Sequence, residues 1–348
     1  LAWPDRWASW WLSGVPTGLA LIKKWRPDVL WSTYPTATAH LIALTLRKLT
    51  GVKWVADFRD SMTEAHYPPN PRKRAIFRWI EQRTVAGAAR VVFTAPGTLR
   101  MYAQRYELRA PEFWRCIENG YDERSFPDAV SPAVHARAPG RRLSLLHAGI
   151  LYPSERDPRP FFAAIARLKR SGAISATELQ IKLRATGHDG VHRDSIAKED
   201  IADLVQLLPL ISYKDAISEM MTEDGLLLFQ APNCNHQIPA KVYEYLRTGK
   251  PILAMTDKSG DTAATLMRAG IDTIVDINDS SSIAIGVEEF LRRLRRNDAP
   301  TASPEIVQTL SRRSQCVALA ELLDSLREGG EGAPIRPNNR TRNADPAK

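Results

Sequence analysis

The chain has 348 residues, 44% hydrophobic and 25% charged, which is more than one core organises and excludes a disordered or collagen-like polymer. Lysine and arginine outnumber aspartate and glutamate by 48 to 39, and the resulting basic surface suits a phosphate-bearing ligand, an anionic membrane or nucleic acid. No apolar run nears the roughly 18 residues that span a bilayer; three scattered cysteines, Cys116, Cys234 and Cys316, exclude a CxxC zinc site or disulfide framework and fit a reducing cytoplasm.

The sequence opens on Leu1 with no signal-peptide pattern, so it reads as a fragment of a cytoplasmic protein. All nine tryptophans fall between Trp3 and Trp114, several beside cations: Trp25 follows Lys23 and Lys24, and Trp79 follows Arg72, Lys73, Arg74 and Arg78. Indole rings favour headgroup depth and cations meet anionic lipid, so this region is a candidate for peripheral membrane contact. A Trp-rich core with solvated basic faces is the plainer alternative.

The first unit alternates strands and helices. Strands are expected at 29–33, 54–58, 91–94 and 115–117; helices at 35–48, 71–88 and onward from Pro96, since proline is tolerated in a helix's first turn. That order implies a parallel sheet covered by helices, an incomplete Rossmann-like domain over 1–127. Residues 128–142, rich in Pro, Ala, Gly and Arg, read as a linker.

The alternation restarts over 143–300. Strands are expected at 143–147, 179–185, 204–208, 226–229, 252–255 and 273–277. Helices are expected at 158–170, 213–221, 239–247, 262–268 and 280–295. A final helix over 306–327, within a 301–328 segment, is expected to pack back toward the first domain, and 329–348 has the composition of a disordered tail.

In open parallel sheets ligands bind beyond the carboxyl ends of strands, near helix starts. Two loops there carry candidate chemistry. In the first, 147–158, Gly149 sits where the backbone must turn sharply, and Arg156 is placed to meet a phosphate or to pair with Glu155 or Asp157. In the second, Pro239 marks a helix start, and Lys241 and Glu244 share one face. Lysine neutralises diphosphate charge and a carboxylate accepts both hydroxyls of a ribose diol; a plain Lys241–Glu244 salt bridge is the structural alternative.

The second loop, Pro239-Ala240-Lys241-Val242-Tyr243-Glu244-Tyr245-Leu246 followed by Gly249 and Pro251, resembles the donor site of retaining family 4 glycosyltransferases. Their GT-B fold sets two Rossmann-like domains across a cleft. Their signature is a Glu, seven residues, a second Glu, then Gly-x-Pro. The resemblance implies that Glu244 binds the donor ribose. The first Glu position holds His236, and the residue after Gly149, an Arg in the family, is Ile150. Asn119-Gly120-Tyr121-Asp122 is similar to the family's motif before the linker, and Leu210 and Ile211 lie where the donor base packs.

The resemblance implies sugar transfer with retention, in surface-polysaccharide or glycolipid synthesis. It assigns donor contacts to Gly149, Arg156, Ile211, His236, Pro239, Lys241 and Glu244, with Arg156 and Lys241 stabilising the leaving diphosphate. Asp57 and Asp60, at a first-domain strand end, can orient or deprotonate an acceptor hydroxyl, or merely pair with Arg59; Asp60 is the catalytic candidate. No DxD pattern accompanies the site, so no metal or other cofactor is expected. The expected partners are a nucleotide sugar, a glycan or lipid-linked acceptor and an anionic membrane's inner face; nucleic acid is not expected. The family's opening strand and Gly-rich loop do not precede Val29, which implies a fragment that binds donor and transfers poorly. Two alternatives remain open: a non-catalytic nucleotide-sugar-binding protein at the membrane, and a GT-B epimerase.

Overall fold

The computed structural model describes residues 3–126 and 141–328. Most of the expected linker and the whole expected tail lie outside these residues.

The first unit runs α1 (Trp10–Trp25), β1 (Val29–Tyr34), α2 (Ala37–Thr50), β2 (Lys53–Phe58), α3 (Pro71–Gly87), β3 (Arg90–Phe93), α4 (Pro96–Arg105) and β4 (Trp114–Cys116). Its four strands pair in parallel in the order β1-β2-β3-β4, with Val29 opposite Lys53 and Val55 opposite Arg90. The aromatic core includes Tyr34, Trp54, Phe58, Phe77, Phe93 and Tyr102. The pattern did not reveal α1, which contains Pro16 and two glycines. Those glycines explain the helix's place. A Cβ on Gly14 would come within 2.8 Å of Ile42, and one on Gly18 within 2.6 Å of Leu46, so α1 seats directly on α2.

The second unit runs β5 (Leu143–Ala148), α5 (Arg159–Arg170), β6 (Leu179–Arg184), α6 (Asp189–Lys198), β7 (Val205–Leu208), α7 (Tyr213–Thr222), β8 (Gly225–Gln230), α8 (Lys241–Arg247), β9 (Ile252–Thr256), α9 (Asp261–Arg268), β10 (Ile274–Val275) and α10 (Ser280–Arg296). All six strands are parallel, in the order β10-β9-β8-β5-β6-β7. The order reverses between β5 and β8. A crevice opens at such a reversal because the connections leave the two neighbouring strands in opposite directions. The β8 strand is buried at every position, as a central parallel strand must be.

The expected last helix is two: α11 (Pro304–Thr309) and α12 (Arg312–Glu328). The break has a clear cause. Tyr121 bridges Ser311 in parallel, its amide donating to the Leu310 carbonyl and its own carbonyl accepting from Arg312. A Cβ on Gly120 would meet Arg312 and Leu310 backbone at 2.8 Å, so the Asn-Gly-Tyr-Asp segment lets two chains cross closely. Helix α12 then packs Leu322 and Leu326 on Val55 and Val92 of the first sheet.

Candidate functional site: the cleft between the two sheets

The two loops singled out by sequence leave β5 and β8, the strands that flank the reversal. Gly149 follows β5 with φ +111°, a conformation that side chains resist, and a Cβ there would lie 2.8 Å from the Lys241 amine. The Lys241 side chain therefore passes directly beneath the β5 turn. Helix α8 is pinned in that position from both ends of the contact: the Tyr245 hydroxyl accepts from the Ala148 amide at 2.9 Å, and Val242, Tyr245 and Leu246 are buried.

His147 completes this corner. Its Nδ1 lies 2.8 Å from the Leu227 carbonyl, and its Nε2 lies 3.1 Å from the Gly149 carbonyl and 3.2 Å from the Lys241 amine. Burial, reinforced by the nearby Lys241 charge, holds His147 well below its usual pKa, so it stays neutral. Burial also pushes Lys241 down to about 7, with Arg156 acting in the same direction and Glu244 opposing. An amine so depressed is a receptor for negative charge, since an anion beside it restores the proton.

Arg156 stands over the same turn, donating to the Ile150 carbonyl at 3.2 Å with its guanidinium 5.5 Å from the Tyr152 ring centre. Among the described residues it has no carboxylate partner; Asp157 is taken by Arg159 instead. Nor does Lys241 pair with Glu244. Glu244 accepts from the Tyr213 hydroxyl at 2.7 Å, and Tyr213 follows Ile211 by two positions, beyond the end of β7. Neither plainer reading, Arg156 paired with its neighbours or a Lys241–Glu244 bridge, is formed among the described residues; Arg156 lines the cavity between the sheets instead.

One expectation needs correction. The helix begins at Lys241, two residues after Pro239, and Val242 and Tyr243 already donate to the Pro239 and Ala240 carbonyls. Leu210 is exposed and Ile211 part-buried.

A cavity of about 210 Å³ lies between the two sheets. The first unit lines it with Arg59, Asp60, Thr94 and Asn119, and the second with Arg156, Gln230, Gln237 and Pro239. Asp60 therefore faces Arg156 and Pro239 across one space. Burial raises the Asp60 pKa against the lowering pull of Arg59. Asp57 sits deeper, accepting from Thr33 at 2.9 Å, and burial raises it to about 6.

His236 bridges the units. Its Nε2 lies 2.8 Å from a Glu64 carboxylate oxygen, and its carbonyl accepts from Thr98 at 2.6 Å. That hydrogen bond to Glu64 is the largest cause raising the His236 pKa. Beside it Asp261 accepts from the Gly97 amide and pairs with Arg100 at 2.8 Å. Glu64, Tyr213 and Asp261 were not singled out from the sequence, because their partners are remote in the chain. The loop carrying Asp60 and Glu64 rests on buried Glu81, which accepts from Thr63, Tyr102, Tyr106 and Arg105.

No curated protein sequence matches the chain. The glycosyl transferase 4-like domain family matches residues 1–120. Among solved structures, a sucrose-phosphate synthase from Thermosynechococcus elongatus is similar at 14% identity and a TM-score of 0.67, over 92% of this chain and 79% of that one. Anabaena HepE in complex with UDP is similar at 14% identity and a TM-score of 0.69, over 89% and 82%. An α,α-trehalose 6-phosphate synthase from Burkholderia multivorans is similar at 15% identity and 0.64, over 92% and 76%. The chain thus has the GT-B fold of two parallel-sheet domains, and its first 120 residues match the glycosyl transferase 4-like domain.

Proposed function

We propose that the chain is a glycosyltransferase that moves a sugar from a nucleoside diphosphate sugar to an acceptor hydroxyl, with retention at the anomeric carbon. The observation that carries this reading is the corner at the reversal between β5 and β8. There Gly149 clears the way for Lys241, Arg156 stands above it with no carboxylate partner among the described residues, and Glu244 lies one turn further along α8. In the proposal Lys241 and Arg156 neutralise the departing diphosphate, Glu244 holds the ribose diol, and Ile211 packs on the base. His236 and Pro239 border the transferred sugar, and Asp60 faces the acceptor.

Fixed positive charge lowers the barrier by stabilising the leaving group as the anomeric carbon gains cationic character. These cations occupy the role that a divalent ion fills elsewhere, so turnover in EDTA is the expected result. The family match and the GT-B neighbours, among them structures bound to UDP and UDP-glucose, support a UDP-type donor. The basic balance and the tryptophans of the first unit support a glycan or lipid-linked acceptor and a location on the inner face of the cytoplasmic membrane.

Calorimetric titration with UDP, GDP and their glucose and mannose derivatives tests the donor. Tight binding of one nucleotide that Glu244→Ala weakens is the expected outcome; no binding to any of them refutes the reading. His236, where the resembled signature has a carboxylate, favours a second reading of donor binding without transfer. Proton NMR of the anomeric signal during turnover separates the two.

A further inference from the structure

A second concavity, of about 520 Å³, lies on the outer side of the first unit. It is lined by the start of α1 and the outer face of α2, with Trp79 of α3: Trp3, Trp11, Leu12, Leu41, Leu49 and Trp79 provide its apolar surface. Soluble chains seldom leave so many large apolar groups together in water. Leu12 is 70% exposed, Trp10 53% and Trp79 50%. The α1–α2 contact is made through Gly14 and Gly18 and through the Trp11 indole, which donates to Thr45 at 3.1 Å, and it leaves Trp3, Leu12 and Trp79 with large apolar faces in water.

The exposed charge around the groove is mostly positive. Lys48 lies on its wall, Arg6 is exposed in the segment before α1, and Arg72, Arg78 and Arg83 are exposed on α3. Arg6 stacks on Trp7 at 5.0 Å and Arg83 on Trp79 at 5.7 Å, which keeps cation and indole at one level. Among the described residues none of these five cations is ion-paired. Of the nearby carboxylates, Asp5 is held by the Trp7 amide and by the Thr38 amide and hydroxyl, and Glu81 is buried and paired with Arg105. Among the described residues no helix is long and apolar enough to cross a membrane.

We infer that this face docks on a bilayer of anionic phospholipid, with indoles at headgroup depth and an acyl chain entering the groove. Cations beside interfacial aromatics match that surface: the lipid phosphates take the charge and the hydrocarbon boundary takes the rings. The groove reaches Thr38, in the first turn of α2 just after β1, and the carboxyl ends of the first sheet's strands are the ends that border the cleft cavity. A lipid-borne acceptor would thereby be held beside the cleft. The inference deepens the membrane location proposed above and is independent of donor binding.

Co-sedimentation with phosphatidylcholine vesicles, with and without phosphatidylglycerol, tests it. Binding should require phosphatidylglycerol and weaken as salt shortens the screening length. At roughly a five-fold effect per cation, Lys48→Gln with Arg72→Gln and Arg78→Gln should lower partitioning about a hundred-fold. Trp11→Ser with Trp79→Ser should lower it about ten-fold and reduce the blue shift of tryptophan emission on vesicle binding. Equal binding to neutral vesicles, or unchanged binding by both variants, overturns the inference. So does self-association in solution that the tryptophan variant abolishes, since a second copy would then cover the face. Nucleotide calorimetry on the same variants should match the unsubstituted chain, which shows that they fold and keeps failure of the donor site distinguishable from failure of the docking face.

Discussion

Lys241 makes the donor reading testable through pH. Its amine is pushed down to about 7 because it lies buried beneath the Gly149 turn beside Arg156. A nucleoside diphosphate sugar keeps its charge across the neutral range, so the bound diphosphate favours the protonated amine throughout. With a free-protein pKa near 7, roughly nine-tenths of the amines are charged at pH 6 and about three-hundredths at pH 8.5, so intrinsic affinity should fall roughly 30-fold between those limits. The sign follows from the depressed pKa: the proton is taken up on binding above pH 7, at a cost that grows by about 1.4 kcal/mol per pH unit. Calorimetry with UDP-glucose in buffers of differing ionisation enthalpy measures that uptake directly. Asp57 and His236 titrate nearby, so the decisive comparison is with Lys241→Met, which fills the same channel without a titrating group. The pH slope should flatten in that variant. A flat profile in the unsubstituted chain, or the same slope in Lys241→Met, would refute the assignment of Lys241 to the diphosphate.

Glu244→Ala should weaken nucleotide binding by roughly 2–3 kcal/mol, the scale for losing a charged hydrogen-bond partner, and Tyr213→Phe by about 1 kcal/mol, since that hydroxyl only orients the carboxylate. An unchanged affinity in Glu244→Ala removes the ribose from that position. Gly149→Ala meets both a positive φ and the Lys241 amine, so it should destabilise the fold by about 1–2 kcal/mol in urea melts and weaken donor binding together. Glu81→Ala strands four donors in the core of the first unit and should cost about 3–5 kcal/mol in denaturant unfolding, with donor affinity in the folded fraction unchanged because Glu81 supports the acceptor-side loop.

The parts of this molecule that could be read along the chain are those in which the information is local. Strand 226–229 is a continuous apolar run and 54–58 is broken only by Asp57, and the second loop's Lys, Glu, Gly and Pro sit within a dozen residues, so the end of α8 and the start of β9 followed at once. Helix α1 was hidden because Gly14, Pro16 and Gly18 argue against a helix locally, and only the close seat on Ile42 and Leu46 makes them favourable. Likewise 306–327 has unbroken helical periodicity, and the break at Ser311 is imposed by Tyr121, nearly two hundred residues away. The candidate site divides along the same line. Gly149 and Lys241 were each legible as loop residues, but that one exists to accommodate the other is a fact of the strand order, which sets β5 beside β8. Glu64 carries no motif at all: it matters because the opposing domain delivers His236 to it, at the position where the resembled signature keeps a carboxylate of its own. A cleft between two domains is therefore the feature a linear reading reaches last, since each wall can be recognised alone while its pairings are written in neither.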